Sequence, residues 1–104
     1  DGVDAAELLG ATFPGGSITG APKVRAMEII AKIEGQARGI YCGSIGYFGF
    51  NGLVDLNIAI RTAMFQGGAA RVSGGGGITA RSAPAAEYEE TLIKVKRIME
   101  AFQP

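Results

Sequence analysis

The hydrophobic pattern opens with a short helix over residues 3–10, in which Ala and Leu follow Asp4, a candidate N-cap, and Gly10 supplies a stop. Phe13 to Gly20 then loses periodicity and reads as a loop; Pro14 restricts Phe13 to an extended form. A second helix is predicted from Ala21-Pro22, capped by Thr19 or Gly20, because proline fits a first helical turn. Within it Arg25, Glu28 and Lys32 share one arc of about 60°. Val24, Ala26, Met27, Ile29, Ile30 and Ile33 cover most of the remainder, so a largely buried helix with a narrow wet stripe is expected, ended by Gly35.

Period-two patterning takes over after Gly39. Ile40 to Phe50 and Leu53 to Phe65 read as strands, the second with Val54, Leu56, Ile58, Ile60 and Thr62 on one face. Asn51-Gly52 between them is a hairpin signal. Gln66-Gly67-Gly68 marks a second turn, and Ala69 to Thr79 a third strand deformed by Gly74–Gly77. Pro84 opens a last helix, with Ser82 or Ala83 near its cap. Tyr88, Leu92, Val95, Met99 and Phe102 form its core face, with Lys96 and Glu100 wet. The fold class is therefore α+β: an antiparallel β-meander flanked by helices, in one domain over residues 1–104.

Composition narrows the function. Ten basic against ten acidic residues leave no net charge, which argues against a general nucleic-acid binder or a polybasic membrane anchor. No apolar run reaches the roughly 18 residues that a membrane span needs. Without His, and with Cys42 alone, Ser-His-Asp and Cys-His catalysis, His-ligated metals and an internal disulfide are excluded. A metal here would take oxygen ligands, as Mg²⁺, Mn²⁺ or Ca²⁺ do. Cys42 itself reads as a small buried hydrophobe. The 17 glycines are over twice the usual share of about 7%, and their clusters suggest backbone bends and close ligand approach. A chain that opens on Asp-Gly-Val-Asp without Met is expected to be a piece of a longer one.

The chemistry-bearing candidates are few. Glu87, Glu90 and Lys94 share one arc of about 60° on the last helix. Two carboxylates one turn apart can share an oxygen-liganded metal, with the lysine holding an anion that the metal also binds. The same spacing also describes an ordinary surface Glu90–Lys94 pair. Arg61, on the strand face of Asp55 and Asn57, offers either a fork for a carboxylate or a structural pair with Asp55 or Glu28. Gly74–Gly77 either presents backbone N–H groups to an anion or is a bulged strand. Ser17 follows two glycines toward a helix start and could serve a ligand or a local turn. Tyr41 could aim its hydroxyl into a cleft or sit as a core aromatic. Together these groups suit a small polycarboxylate bound with Mg²⁺.

Longer stretches carry a family resemblance. Phe13-Pro14-Gly15-Gly16-Ser17-Ile18-Thr19-Gly20-Ala21-Pro22-Lys23, continued by Val24-Arg25-Ala26-Met27-Glu28-Ile29-Ile30, resembles the chorismate-utilising enzymes. So do Tyr41-Cys42-Gly43-Ser44-Ile45-Gly46-Tyr47, Ile58-Ala59-Ile60-Arg61-Thr62, Gly75-Gly76-Gly77-Ile78 and Glu87-Tyr88-Glu89-Glu90-Thr91, in order over about residues 8–102. Within the family, Gly16-Ser17-Ile18-Thr19-Gly20 most resembles the branch that aminates chorismate at C4 for p-aminobenzoate and folate synthesis. The anthranilate-forming branch, which more often has Thr in place of Ser17, is the alternative, and an isolated non-catalytic module a third reading.

The resemblance implies a segment of a larger cytoplasmic enzyme whose fold is a two-sheet α/β sandwich. It implies chorismate as substrate, Mg²⁺ as cofactor and a glutamine amidotransferase subunit supplying ammonia. Glu90 matches a direct Mg²⁺ ligand and Glu87 a carboxylate near the metal. Arg61 and Tyr41 match residues that hold the enolpyruvyl carboxylate, and Lys94 a carboxylate-binding lysine. Gly75, Gly76 and Gly77 match a loop giving backbone contacts to substrate, and Ser17 a substrate-contacting hydroxyl. The family's upstream Pro-Ile-Lys-Gly-Thr motif, with its catalytic lysine, and an upstream carboxylate motif have no counterpart in these residues. Gly76 stands where the family usually has Ala, and Arg81 where many members have Asp.

Overall fold

The computed structural model describes Gly2 and residues 4–102; Val3, expected in the first helix, lies outside them. The chain divides into two units, Asp1–Ala59 and Ile60–Pro104.

In the first unit, α1 (Ala5–Thr12) starts where Asp4 was expected to cap it. The cap is reciprocal: Glu7 N–H donates to Asp4 Oδ1 at 2.8 Å, and Asp4 N–H donates to Glu7 Oε2 at 3.1 Å. The helix runs through Gly10 and stops at Phe13, held extended (φ −92°, ψ 149°) before Pro14. A one-turn helix, α2 (Gly16–Thr19), occupies part of the predicted loop. Then α3 (Lys23–Glu34) begins one residue after Pro22, which is itself the N-cap residue. Thr19 does not cap α3; its hydroxyl donates back to the Gly15 carbonyl at 3.2 Å. Gly35 ends the helix in the left-handed region (φ 62°), its N–H donating to Ala31 O at 3.1 Å. The expected burial of α3 does not appear among the described residues: it has no buried position, and Ile33 is 78% exposed.

β1 (Gly46–Phe48) and β2 (Val54–Leu56) form an antiparallel hairpin with Tyr47 opposite Asp55. Its turn is wider than a two-residue Asn-Gly turn. Only Gly52 has positive φ (82°), and Gly49 N–H donates to Leu53 O at 2.7 Å across the loop. Beyond the ladder, Asn57 N–H donates to Ile45 O (3.0 Å), Ala59 N–H to Gly43 O (2.9 Å) and Cys42 N–H to Ala59 O (3.0 Å). These bonds fix Cys42 and Ala59, which are both buried. Cys42 takes φ 66°, so the first strand cannot extend back to Ile40 as expected.

In the second unit, β3 (Ala63–Gln66) pairs with β4 (Ala69–Val72) through Gly67 and Gly68, at φ 57° and 76°. Two successive positive φ values match the right-handed strand twist, which is why a glycine pair serves here. The expected strand Leu53–Phe65 is broken, with Arg61 at φ 51°, and the expected strand Ala69–Thr79 ends at Val72. The meander is thus two separate two-stranded sheets within an α+β chain.

α4 (Pro84–Glu100) has Pro84 in its first turn and packs on β4. Phe65 and Phe102 meet edge to face, their centroids 5.4 Å apart. Val95 is 7% exposed, as the periodicity predicts, but Leu92 is 42% and Met99 51% exposed. The expected burial of those two is therefore corrected. Their stripe is apolar, but among the described residues little lies over it. No helix among the described residues is long and apolar enough to cross a membrane.

Candidate functional site

The carboxylate helix and the glycine run meet within the second unit. Residues 73–79 leave β4 without strand structure, and Gly74–Gly76 lie against α4. A Cβ on Gly74 would lie 2.6 Å from Val95 Cγ1 and 3.0 Å from the Thr91 carbonyl, so the backbone there rests directly on the helix. Two residues on, a Cβ on Gly76 would lie 3.0 Å from Glu87 Oε2, 3.7 Å from Glu90 Oε1 and 3.8 Å from Lys94 Nζ. One small volume is thus bordered by Gly76, both carboxylates and the lysine, as the helical arc predicts. Lys94 Nζ donates to Gly75 O at 3.2 Å and forms an ion pair with Glu90. Thr91 Oγ1 donates to the Glu87 carbonyl at 3.0 Å, the back-bonding common for a helical threonine.

This arrangement suits a hard cation. Two carboxylates supply anionic oxygen donors, and the missing Cβ of Gly76 leaves room between them. By themselves they would supply only part of a coordination shell, for no group of three or more His, Cys, Asp or Glu converges among the described residues. Mg²⁺ keeps several waters and often takes only one or two carboxylates, so Glu87 and Glu90 fit it. A bound Mg²⁺ would polarise an oxygen of an anionic ligand.

Arg61 also belongs to the second unit. It is exposed, holds φ 51° and enters no ion pair among the described residues. Ser17 and Tyr41 lie in the first unit. Ser17 sits in the single turn of α2 with its side chain exposed. Gly77 has open space around its Cβ position.

Tyr41 lines a cavity of about 650 Å³ in the first unit, whose apolar wall includes Leu9, Phe13, Met27 and Ile30. Cys42, beside it, is buried, as expected of a small hydrophobe. Burial pushes the Tyr41 phenol above its ordinary value, with smaller contributions from Cys42, while the nearby Arg38 charge opposes the rise.

Arg38 and Glu34 were not singled out by sequence reasoning. The available signal was an i,i+4 Glu-to-Arg spacing across the end of a helix. Glu34 accepts from Arg38 Nε at 2.8 Å and from its NH2 at 2.5 Å. This two-bond grip holds the Glu34 carboxyl below its ordinary value, against the opposing effect of burial. A depressed carboxyl contributes stability above its unfolded value and loses it as pH falls through the folded one. Glu34→Gln is therefore expected to reduce stability near neutrality and to leave less to lose at acid pH. Denaturation midpoints compared at pH 7 and pH 3 measure this; equal midpoints at pH 7 would remove the argument.

The chain matches the chorismate binding enzyme family over residues 1–100 and belongs to that family. It is 58% identical over 99 residues to aminodeoxychorismate synthase component 1 of Klebsiella aerogenes, covering 95% of this chain and 22% of that protein. The corresponding Escherichia coli (strain K12) protein is 56% identical, again over 95% of this chain and 22% of its own length. Anthranilate synthase component 1 of Aquifex aeolicus (strain VF5) is 50% identical over 103 residues, 99% of this chain and 21% of that protein. The chain thus spans about a fifth of the length of these curated relatives.

Proposed function

We propose that this chain is part of an aminodeoxychorismate synthase component 1, which converts chorismate and ammonia to 4-amino-4-deoxychorismate. The observation that carries the chemistry is the volume shared by Gly76, Glu87, Glu90 and Lys94. A divalent cation beside a lysine suits an anionic substrate, since each neutralises part of its charge. In this reading Glu87 and Glu90 hold Mg²⁺. Lys94, Arg61 and Tyr41 take the substrate's carboxylates, Gly75–Gly77 line it, and Ser17 contributes a hydroxyl. The partner is a glutamine amidotransferase subunit, and the setting is cytoplasmic folate synthesis. The higher identities to the aminodeoxychorismate synthase relatives support the choice of branch.

Anthranilate synthase component 1 is the second reading, supported by 50% identity over nearly the whole chain. In either case the exposed apolar faces of α3 and α4 and the incomplete carboxylate shell are completed by other parts of the enzyme. The test is to supply the whole enzyme with chorismate, ammonia and Mg²⁺ and to identify the product by mass and absorbance. 4-Amino-4-deoxychorismate is expected, and anthranilate would move the protein to the second branch. The 104-residue chain alone is expected to form neither, and product from it would overturn the incomplete-site argument.

A further inference from the structure

Tyr41 is held by groups the proposed chemistry does not use. Arg38 and Tyr41 are the ends of a tight turn: Tyr41 N–H donates to the Arg38 carbonyl at 3.3 Å, and Gly39 between them takes φ 63°. The turn brings the Arg38 guanidinium over the Tyr41 ring, 5.5 Å from its centroid. Another guanidinium nitrogen, NH1, lies 3.5 Å from Cys42 Sγ. The remaining edge, Nε and NH2, is gripped by the Glu34 carboxylate.

Glu34 is placed where a helix does not favour it. It is the last residue of α3, and the partial negative charge of a helix C-terminus repels a carboxylate. The Arg38 fork offsets that repulsion. The result is a chain of contacts from a helix end through a planar cation to an aromatic ring.

We propose that Arg38, held by Glu34, is a positioning residue that fixes the Tyr41 ring in its cavity. Its consequence for substrate rests on the reading of Tyr41 as a contact to a substrate carboxylate. Arg38 touches no substrate; it presents the phenol in one orientation, so that substrate binding does not have to order it. Lysine is not equivalent, because a rotating ammonium cannot donate the two parallel bonds of a planar fork to the Glu34 carboxylate while holding its charge over the ring.

The test uses the whole enzyme with two readouts. Arg38→Lys is expected to raise KM for chorismate about tenfold with kcat within about twofold, because uniform binding is lost. Tyr41→Phe is expected to do the same, and the double variant to be no worse than either, since both remove one function. A normal KM in Arg38→Lys beside a raised one in Tyr41→Phe overturns the proposal, as does a double variant near 100-fold. The second readout is the Tyr41 phenol titration, followed by ¹³C NMR of labelled tyrosine and assigned by its loss in Tyr41→Phe. The charged side chains around the ring are Arg38 and Glu34, and the Cys42 thiol lies beside it. Arg38→Gln is expected to move the titration upward, because the cation opposes the rise caused by burial. An unmoved titration overturns the proposal. If Tyr41→Phe leaves KM unchanged, the substrate role of Tyr41 fails, and the titration alone decides whether Arg38 sets the ring's surroundings.

Discussion

In the whole enzyme, Glu90→Gln is expected to lower activity about 100-fold or more and to raise the Mg²⁺ concentration needed for half-maximal rate, while Glu89→Gln changes either by less than about twofold. Both substitutions remove one negative charge from the same helical turn at almost constant volume. A general electrostatic effect would therefore weaken both alike. The two positions differ in what they face. Glu90 lies with Glu87 and Lys94 around the space that a Cβ on Gly76 would enter, whereas Glu89 is exposed about 100° around the helix. A neutral amide is a poor ligand for a hard cation, so if the proposed Mg²⁺ site is right the loss should follow Glu90 and not Glu89. The Glu90–Lys94 ion pair supplies the competing account. An exposed i,i+4 pair is worth about 0.3–0.5 kcal/mol and has no bearing on Mg²⁺. Equal rate loss and equal Mg²⁺ dependence in the two variants would leave the surface pair as the better account. Rates measured across a Mg²⁺ titration decide between them.

The readings that survived were those governed by local chemistry. Asp4 caps α1, Gly35 ends α3 in a left-handed conformation, and Pro84 stands in the first turn of α4. Each follows from a backbone requirement that one residue type meets. The arc of Glu87, Glu90 and Lys94 was legible for the same reason, since helical angle depends only on spacing. Its meeting with the glycine run was not, because that depends on how Gly74–Gly76 lie against α4. The strand readings failed where backbone conformation departs from extended at residues that do not announce it. Cys42 and Arg61 both take positive φ, which non-glycine residues seldom adopt. Burial was over-read for another reason. Periodicity tells which face of α3 or α4 is apolar, but not whether anything among these residues covers it. Val95 is buried because Gly74 lets the backbone close over it, whereas Leu92 and Met99 on the same stripe stay largely open. The Glu34–Arg38 grip was missed because its meaning lies in the Tyr41 ring, which a turn brings back beneath the guanidinium.

Gly46→Ala is expected to destabilise the first unit by about 3 kcal/mol, near the upper end for overpacking, and to open the β1–β2 hairpin. Gly46 pairs with Leu56 in the ladder, and a Cβ there would overlap the Asp55 carbonyl oxygen and lie 2.8 Å from Leu56 Cα. These are backbone atoms, so no rotamer change in a neighbour can make room. The strands would have to separate, releasing the bonds that continue the ladder from Asn57–Ile45 to Ala59–Gly43 and Cys42–Ala59. Those bonds fix the segment that ends at Tyr41, so loss of the hairpin should also loosen the aromatic ring from Arg38. The control is Gly10→Ala, in α1 with open space around its Cβ position. Replacing an exposed helical glycine by alanine should stabilise by about 0.5–1 kcal/mol. Denaturant midpoints give the two stabilities, and amide exchange at Ala59 and Asn57 reports the hairpin directly. A Gly46→Ala variant with the parent midpoint and unchanged protection at Ala59 would show that the strands accommodate the methyl group, and the close approach at Gly46 would then not be what holds this hairpin together.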